Sequence, residues 1–468
     1  MKVLFACTLL GMAASVGAAA AQSPSSFQPL AVDGENAASA RGIWRSRGYG
    51  WILEIQPRQL AVYQISQAGC SKDPRTTNFA AQFGYRSTAS SQQVLMITSY
   101  PGENRYVLDR LPRLPAECSQ ARWTAPQLFD HFVASYREHY AFFREHNLDF
   151  EGRVRLQRPQ ITENTSPREL FTAFSQLLDG LGDAHVSLNA KVDGAALTFR
   201  TGRGPTMQLL HDRALQAGQE PAEARSRWLA AYHRGIRDSI LGGRFQQGAN
   251  DKLVWGRIGS DIGYINIAAV EDFAAGSLGD NIRTVNALLD RILAELDGVR
   301  AIVVDITHNT GGYDRLAREI SGHFATERML AYTKRPFGVE PAIVDELYVV
   351  PSNGRRFTGP VYLLTSDITV SGGEILTMTM RVLPNVTQVG TATRGALSDR
   401  LTKVLPDGSD FSISNEIYLD PSGQLFEAVG VPPHHRLEVF PPADLEHGHA
   451  RAVLALAEQI RAGTIRRK

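Results

Sequence analysis

Ser371 is the residue of this chain whose setting best suits a nucleophile. An apolar run over residues 361–364 ends in a short polar loop, and Ser371 lies at the turn into a helix predicted to begin at Gly372. Free backbone N–H groups at a helix N-terminus carry partial positive charge and can stabilise an anion. An acyl-transfer enzyme needs this combination of a hydroxyl and a neighbouring oxyanion donor.

The same serine also fits a structural role. Ser371 and Glu374 form the S-x-x-E pattern of an ordinary capping box, in which both side chains satisfy backbone N–H groups of the first turn. Taken alone, the pattern favours a helix cap. The nucleophile hypothesis therefore depends on whether other segments supply a base and further backbone donors.

His185 is the candidate base. It follows a helix predicted to end at Gly180 or Gly182, on a short extended stretch. An imidazole titrates near neutral pH, so it can accept the proton that a serine nucleophile must lose. A lone histidine in such a position is more often a hydrogen-bonded structural residue.

The Gly311-Gly312 pair is a candidate source of backbone donors. A buried strand at residues 301–306 runs into this pair, and a helix is predicted from about Asp314. Glycines at such a turn let the backbone present N–H groups toward a ligand or an oxyanion. A tight strand-to-helix turn without any function explains the pattern equally well.

The surrounding elements indicate how these residues are positioned. From about residue 253 strands and helices alternate, which predicts an α/β layer with a largely parallel sheet. An aromatic stripe between residues 129 and 143, at helical spacing, indicates core packing. We expect this order: a signal peptide at 1–21, a flexible linker at 22–40, a small β-rich domain at 41–122, a helical domain carrying His185 at 123–252, an α/β catalytic domain at 253–440 and a C-terminal helix at 441–468.

Composition limits the partners. The 468 residues carry a formal net charge of +1, and no basic stripe or basic amphipathic helix is visible. This pattern indicates neither a nucleic acid partner nor a membrane-surface helix. The sequence does not predict the oligomeric state.

The N-terminus has the features of an export signal. Lys2 precedes an apolar stretch over residues 3–16, and three alanines end at Ala21 ahead of Gln22. We expect cleavage between Ala21 and Gln22, and a periplasmic or secreted protein. A membrane anchor is the alternative, but the apolar stretch is short and a polar segment follows it.

Export would allow the cysteines of the mature chain to form a disulfide. Cys70 and Cys118 both lie in the β-rich region, and an oxidising compartment permits a disulfide between them. Two unpaired buried thiols are the alternative.

The histidine pairs do not have metal-site spacing. His434 and His435 are adjacent and would point to opposite faces of a strand, while His447 and His449 are expected to be solvated near a terminal helix. The sequence contains neither the H-E-x-x-H pattern nor the closely spaced cysteine pairs that are typical of zinc sites. We therefore expect no metal and no cofactor.

Five segments, in this order, resemble the tail-specific (C-terminal processing) serine peptidases of family S41. The likeness covers about residues 124–440 and is closest to the branch of the tricorn core and the interphotoreceptor retinoid-binding modules. The segments are Leu181 to His185, Asp305 to Gly312, Thr369 to Glu374, Thr393-Arg394-Gly395 and Glu427 to Pro433.

The resemblance implies a crotonase/ClpP-like catalytic domain and a role for each candidate. Ser371 would be the nucleophile and His185 its base. Glu427, which alone indicates nothing, would orient or polarise the imidazole. Gly372 and the Gly311-Gly312 turn would form the oxyanion hole. The substrate would be a peptide or a protein.

The chain departs from the family pattern at several positions. Ala396 stands where the bacterial processing peptidases carry the lysine of a Ser-Lys dyad, and Lys403 is the nearest lysine beyond it. Ala184 replaces the serine that precedes the histidine in the tricorn branch, and Pro433 replaces an acid. The stretch from about 190 to 254 looks helical, so we expect no PDZ domain. The alternative to a peptidase is a non-catalytic module on the same scaffold that binds a peptide or an apolar ligand.

Overall fold

The computed structural model describes residues 26–75 and 83–466. The predicted signal peptide lies outside the described residues.

The N-terminal region forms an eight-stranded antiparallel sheet with the order β1-β8-β9-β10-β4-β5-β6-β7, and β2 and β3 make a separate small hairpin. Short apolar runs between turns produce these strands. Their bounds are β1 (Phe27–Pro29), β2 (Ala31–Val32), β3 (Glu35–Asn36), β4 (Gly42–Ser46), β5 (Trp51–Ile55), β6 (Leu60–Ser66), β7 (Gly69–Lys72), β8 (Tyr85–Ser87), β9 (Val94–Thr98) and β10 (Tyr106–Leu111).

Residues 27–40 differ from the flexible linker expected over residues 22–40. Strand β1 pairs with β8, with Phe27 opposite Ser87. Leu30 and Ala40 are buried in the core. Burial of these apolar side chains fixes the segment against the sheet, and its Ser- and Ala-rich composition concealed this.

A disulfide joins Cys70 on β7 to Cys118, with 4.5 Å between the two Cα atoms. Cys118 lies in a single 3₁₀ turn, Ala116–Ser119. The bond links the last strand of the sheet to the chain that enters the helical region.

Five helices follow, and the aromatic stripe packs in their core. Phe132 stacks on Phe174 with ring centroids 4.1 Å apart, and both rings are buried. A hairpin interrupts the helices. The bounds are α1 (Ala125–His139), α2 (Phe150–Gln157), α3 (Pro167–Leu178), β11 (Ser187–Val192), β12 (Ala195–Arg200), α4 (Pro205–Gln216) and α5 (Pro221–Arg234), which continues as a π-helix at Gly235–Ile240.

The C-terminal region is built on a seven-stranded sheet with the order β13-β14-β15-β16-β19-β20-β24. Within this sheet, the five strands β15, β16, β19, β20 and β24 run parallel to one another. Strands β13 and β14 add an antiparallel edge. The strand bounds are β13 (Phe245–Gly248), β14 (Leu253–Ile258), β15 (Ile262–Ile267), β16 (Ala301–Asp305), β17 (Met329–Pro336), β18 (Asp345–Val349), β19 (Val361–Thr365), β20 (Val386–Gly390), β21 (Arg400–Val404), β22 (Asp410–Ser414), β23 (Glu416–Leu419) and β24 (His435–Arg436).

Helices cover both faces of this sheet, so its central strands are apolar throughout. Every residue of β15, β16 and β19 is buried, as a parallel sheet between two helical layers requires. The predicted α/β fold with a largely parallel sheet is confirmed. The remaining helices are α6 (Leu278–Glu295), α7 (Asp314–Gly322), α8 (Gly372–Arg381) and α9 (Gly448–Ala462).

The expected helical domain is not a separate, purely helical body. The hairpin of β11 and β12 pairs with β22 of the C-terminal region to give a four-stranded sheet, β12-β11-β22-β21. Asp193 and Gly194 form its turn with φ values of 52° and 79°, as a type I′ hairpin requires. The helical prediction for residues 190–254 is therefore wrong at the hairpin, although α4 and α5 follow it. The hairpin fixes the segment that carries His185.

The C-terminal helix α9 packs on the outer face of the central sheet. His449, expected to be solvated, is instead buried, with its Nε2 atom 2.8 Å from Asp305 Oδ2. In residues 26–75 and 83–466 no helix is long and apolar enough to cross a bilayer.

Candidate active site

Ser371 has a strained backbone at the start of α8. Its φ and ψ are 57° and −126°, a conformation that costs a non-glycine residue about 1–3 kcal/mol. The Ser371 N–H donates to the carbonyl of Ala396 at 3.1 Å and to Glu374 Oε2 at 3.2 Å. These contacts hold the serine in a conformation that it would not adopt by itself.

Ser371 and Glu374 form the predicted capping-box pair at the start of α8. The N–H of Glu374 donates to the Ser371 carbonyl at 2.7 Å, and Glu374 Oε2 accepts the Ser371 N–H. The buried Glu374 carboxylate also accepts hydrogen bonds from Thr393 Oγ1 at 2.6 Å and from Gly395 N at 2.7 Å. Glu374 therefore fastens the Thr393-Arg394-Gly395 segment to α8.

The Gly311-Gly312 turn lies directly against Ser371. A Cβ atom added at Gly311 would lie 2.7 Å from the Cβ of Ser371, and one added at Gly372 would lie 2.7 Å from the backbone nitrogen of Gly312. Such distances leave no room for a side chain. Glycine is required at both positions because the two loops approach each other so closely.

Two backbone N–H groups beside Ser371 have no acceptor among residues 26–75 and 83–466. They belong to Gly312 and Gly372, whereas the Gly311 N–H donates to Asn309 Oδ1 at 2.9 Å. Gly311 thus contributes space, and its two neighbours contribute donors. This arrangement can bind a developing oxyanion next to the serine hydroxyl.

His185 lines the same cleft as Ser371. The imidazole is 6% exposed, and its segment is fixed by a hydrogen bond from the His185 N–H to Asp183 Oδ1 at 2.8 Å. No hydrogen bond joins the imidazole to the Ser371 hydroxyl in the described part of the chain. Catalytic hydrogen bonds are often long in a structure without substrate.

The surroundings of the imidazole favour its neutral form. Burial lowers the pKa of His185, although the nearby Asp183 raises it, and Arg400 lowers it further. The Ser398 backbone lies close enough to the ring to raise this pKa slightly, but Nδ1 is buried and without a hydrogen-bond partner. A neutral imidazole is the form that can accept a proton.

Glu427 lies behind the cleft and reaches His185 only through the backbone. Its Oε2 atom accepts the N–H groups of Leu397 at 2.9 Å and of Ser398 at 3.0 Å. Burial raises the pKa of Glu427 well above its ordinary value, and the neighbouring Asp183 and Glu374 raise it further. Glu427 thus holds the peptide unit that lies beside the imidazole.

Lys403, the nearest lysine beyond Ala396, makes no hydrogen bond to Ser371 among the described residues. Its ammonium group donates to the carbonyls of Tyr49 at 2.5 Å and Gly50 at 3.0 Å. Among the described residues it has no carboxylate within ion-pair distance.

The cleft contains a charge cluster that sequence reasoning missed. Lys334 on β17 contacts the carboxylates of Asp399, of Glu416 at 2.7 Å and of Asp314 at 3.8 Å. Burial raises the pKa values of Asp314 and Glu416. These residues are remote from one another in sequence, and no spacing signal could have linked them. The three carboxylates, of Asp314, Asp399 and Glu416, line a cleft of about 820 Å³.

A second, more apolar cavity of about 540 Å³ meets this cleft at Ala184, Thr310 and Val370. Met207, Leu210 and Pro221 of helices α4 and α5 contribute to its lining. The site therefore lies between a charged wall and an apolar wall, as an extended ligand with varied side chains would require.

Known proteins resemble this chain in sequence and in fold. Residues 261–437 match the sequence model of peptidase family S41. By class the protein is a serine-type peptidase. Through residues 261–437 the chain is similar to peptidase family S41.

Solved structures share the fold. A candidate peptidase from Parabacteroides merdae ATCC 43184 has a TM-score of 0.57 at 20% sequence identity, covering 72% of this chain and 97% of that chain. Mature CPAF complexed with lactacystin has a TM-score of 0.51 at 12% identity, covering 72% of this chain and 98% of that chain. At these identities the likeness concerns the fold.

Proposed function

We propose that this chain is an exported peptidase that cleaves peptide bonds through an acyl-enzyme on Ser371, with His185 as the general base. The observation that carries the proposal is the strained Ser371, whose hydroxyl lies beside two N–H groups without acceptors. The general base would be the buried imidazole of His185 in the same cleft, whose neutral form is favoured because burial lowers its pKa.

The reaction would proceed in two halves. In the first, the Ser371 hydroxyl attacks the substrate carbonyl carbon while His185 accepts the hydroxyl proton. The carbonyl oxygen becomes an oxyanion that receives hydrogen bonds from the N–H groups of Gly312 and Gly372. Protonated His185 then donates its proton to the leaving amine as the acyl-enzyme forms.

In the second half, water replaces the amine. His185 accepts a proton from the water as the water oxygen attacks the ester carbon, and the same two N–H groups stabilise the second oxyanion. Return of the proton to Ser371 Oγ releases the new carboxyl end of the substrate. Besides the chain and its peptide substrate, the two halves together consume one water molecule.

Glu427 would act as the orienting acid through the backbone. By accepting the N–H groups of Leu397 and Ser398, it fixes the peptide unit beside the imidazole. This replaces direct contact between the acid and the base, so Glu427 is a positioning residue in this mechanism.

Export is part of the proposal. The basic N-terminus, the short apolar stretch and the alanines before Gln22 support cleavage after Ala21. The Cys70–Cys118 bond is consistent with an oxidising compartment, either the periplasm or the medium.

One observation favours a second function, a non-catalytic peptide-binding module. The hydroxyl of Ser371 and the imidazole of His185 line one cleft, yet no hydrogen bond joins them in the described residues. In a binding module this gap would persist when a peptide is bound, and the cleft would hold the peptide without cleaving it.

Proteolysis of an unfolded protein distinguishes the two functions. Denatured casein is incubated with the wild type, with Ser371→Ala and with His185→Ala, and new peptide ends are counted by mass spectrometry. The proposal predicts cleavage by the wild type alone. Cleavage by Ser371→Ala at the wild-type rate would contradict it, and binding without cleavage by the wild type would favour the binding module.

A further inference from the structure

We propose that His146, Asp183 and Glu427 form a binding site for one divalent cation of the zinc type, behind the cleft. One ligand atom from each residue can be chosen so that all three lie within 4.8 Å of one another. The Nε2 atom of His146 is 3.9 Å from Asp183 Oδ2. This site goes beyond the proposed peptidase function and does not depend on it.

Two of the three side chains have buried polar atoms with no partner. Within residues 26–75 and 83–466, the Oε1 atom of Glu427 and the Nε2 atom of His146 make no hydrogen bond. Glu427 is 3% exposed, and the side chain of His146 is 7% exposed. A buried polar atom without a partner costs about 1–3 kcal/mol. Two such atoms beside one carboxylate indicate a missing positive partner.

The charges around the cluster also favour a cation. Asp183 and Glu427 lie close together in the interior, and Glu374 is a further carboxylate nearby. Arg394 is the nearby cation, but its guanidinium donates to the carbonyls of Gly182 and Gly202. It forms no ion pair with either carboxylate among the described residues.

The donor set determines which ion fits. One imidazole nitrogen and two carboxylate oxygens are typical zinc ligands, with bonds of about 2.0–2.2 Å. Ligand atoms around such an ion lie closer together than those seen here, so binding would draw the three side chains inward. Three protein ligands leave a fourth position for water.

The cluster lies near the surface. His146 is on a turn after α1, and its neighbours Glu145 and Asn147 are exposed. The cluster therefore lies close to solvent on the side of this turn.

A bound ion would connect the two segments that position His185. Asp183 holds the His185 N–H, and Glu427 holds the Ser398 N–H beside the imidazole. A cation shared by these carboxylates would cross-link them to the turn of His146. The bound ion would thus restrict the motion of the segment that carries His185.

Zinc binding to the tag-free, metal-stripped protein tests the proposal. Isothermal titration with ZnCl₂ is expected to show one saturable site per chain. His146→Ala should weaken binding by more than the roughly 10–100-fold that loss of an outer-shell partner costs. His447→Ala removes an exposed histidine beside Asp444 and serves as the matched control; it should bind zinc like the wild type.

Two results would overturn the site. One is the absence of saturable zinc binding to the wild type, and the other is unchanged binding in His146→Ala. If His146→Ala does not fold, His146→Gln is measured in its place, with folding checked by circular dichroism. The titration contains no substrate and needs no reaction at Ser371, so its failure is separable from failure of the peptidase proposal.

Discussion

Gly311 lies so close to Ser371 that a methyl group on the glycine would approach the serine Cβ to 2.7 Å. Because Gly311 has no side chain, the Gly311-Gly312 turn can lie against Ser371. The N–H of Gly311 itself donates to Asn309. The closeness of these two loops produces the pair of free N–H groups at Gly312 and Gly372.

Gly311→Ala should abolish the site while leaving the fold intact. The added methyl group would push the Gly312 N–H away from Ser371, and removal of one oxyanion donor typically costs about 10²–10³ in rate. The rate of reaction with a fluorophosphonate serine probe measures the effect.

Gly408→Ala is the matched control for that substitution. Gly408 has φ +88°, similar to the +93° of Gly311, but open space surrounds its Cβ position. It should lose about 1–2 kcal/mol of stability from backbone strain alone, with an unchanged probe rate. Equal loss of reactivity in both variants would mean that backbone strain, and not the contact between Gly311 and Ser371, lowers the rate of the probe reaction.

Glu427→Gln and Glu427→Leu should differ sharply. Leucine leaves the buried N–H groups of Leu397 and Ser398 without an acceptor, and each such group lowers the free energy of unfolding by about 1–3 kcal/mol. Glutamine retains an acceptor oxygen and resembles the neutral acid that burial favours. Urea unfolding and the probe rate, both measured with a chelator present, should show a small effect for glutamine and a large one for leucine. Equally large losses of reactivity would instead indicate that the charge of Glu427 acts on His185 directly.

Lys403 provides a pH test of stability. Burial lowers the pKa of Lys403 to about 7, whereas an unfolded lysine titrates at about 10.4. The unfolded state therefore binds the extra proton between these values, and this lysine's contribution to the free energy of unfolding rises with pH across the window. Below about pH 7 both states are protonated and the contribution is flat.

The comparison is between the wild type and Lys403→Met from pH 6 to pH 10. The wild type should gain stability relative to the variant as the pH rises from about 7 to about 10. Lys403→Met should also react with the serine probe, because this lysine does not contact Ser371. A pH-independent difference in stability would contradict the first expectation, and loss of probe reactivity in a folded variant would contradict the second.

Removal of the Cys70–Cys118 bond should destabilise the N-terminal region without altering the site. The bond closes a loop with a sequence separation of 48, worth about 3–4 kcal/mol on the chain-entropy model. The Cys70→Ala, Cys118→Ala double variant should unfold at lower urea than the oxidised wild type. Adding reductant should lower the wild-type midpoint and leave the variant unchanged. A midpoint insensitive to both changes would show that the bond does not form in solution.

The sequence was most informative where local patterns are strong. Alternating strands and helices predicted the parallel sheet, and the serine at a strand-to-helix turn predicted the start of α8. The hairpin at Asp193-Gly194 was missed although its turn pair is a recognised signal, because helical patterns flank it on both sides. Composition misled at residues 27–40, where a few apolar side chains outweigh many small polar ones.

Contacts between remote segments were beyond prediction. Nothing near Glu427 indicates that it would hold the backbone at Leu397 and Ser398 and not the imidazole. The buried pair of His449 and Asp305 depends on how α9 packs against the sheet. The Lys334 cluster gathers residues from four separate stretches, so only the folded chain reveals it.

Peptide mapping of a fluorophosphonate adduct identifies the nucleophile by its position in the chain. We expect a single adduct on Ser371 in the wild type, no adduct in Ser371→Ala, and a greatly slowed reaction in His185→Ala. An adduct on a different serine, or equal labelling of wild type and His185→Ala at Ser371, would contradict the assignment of nucleophile and base.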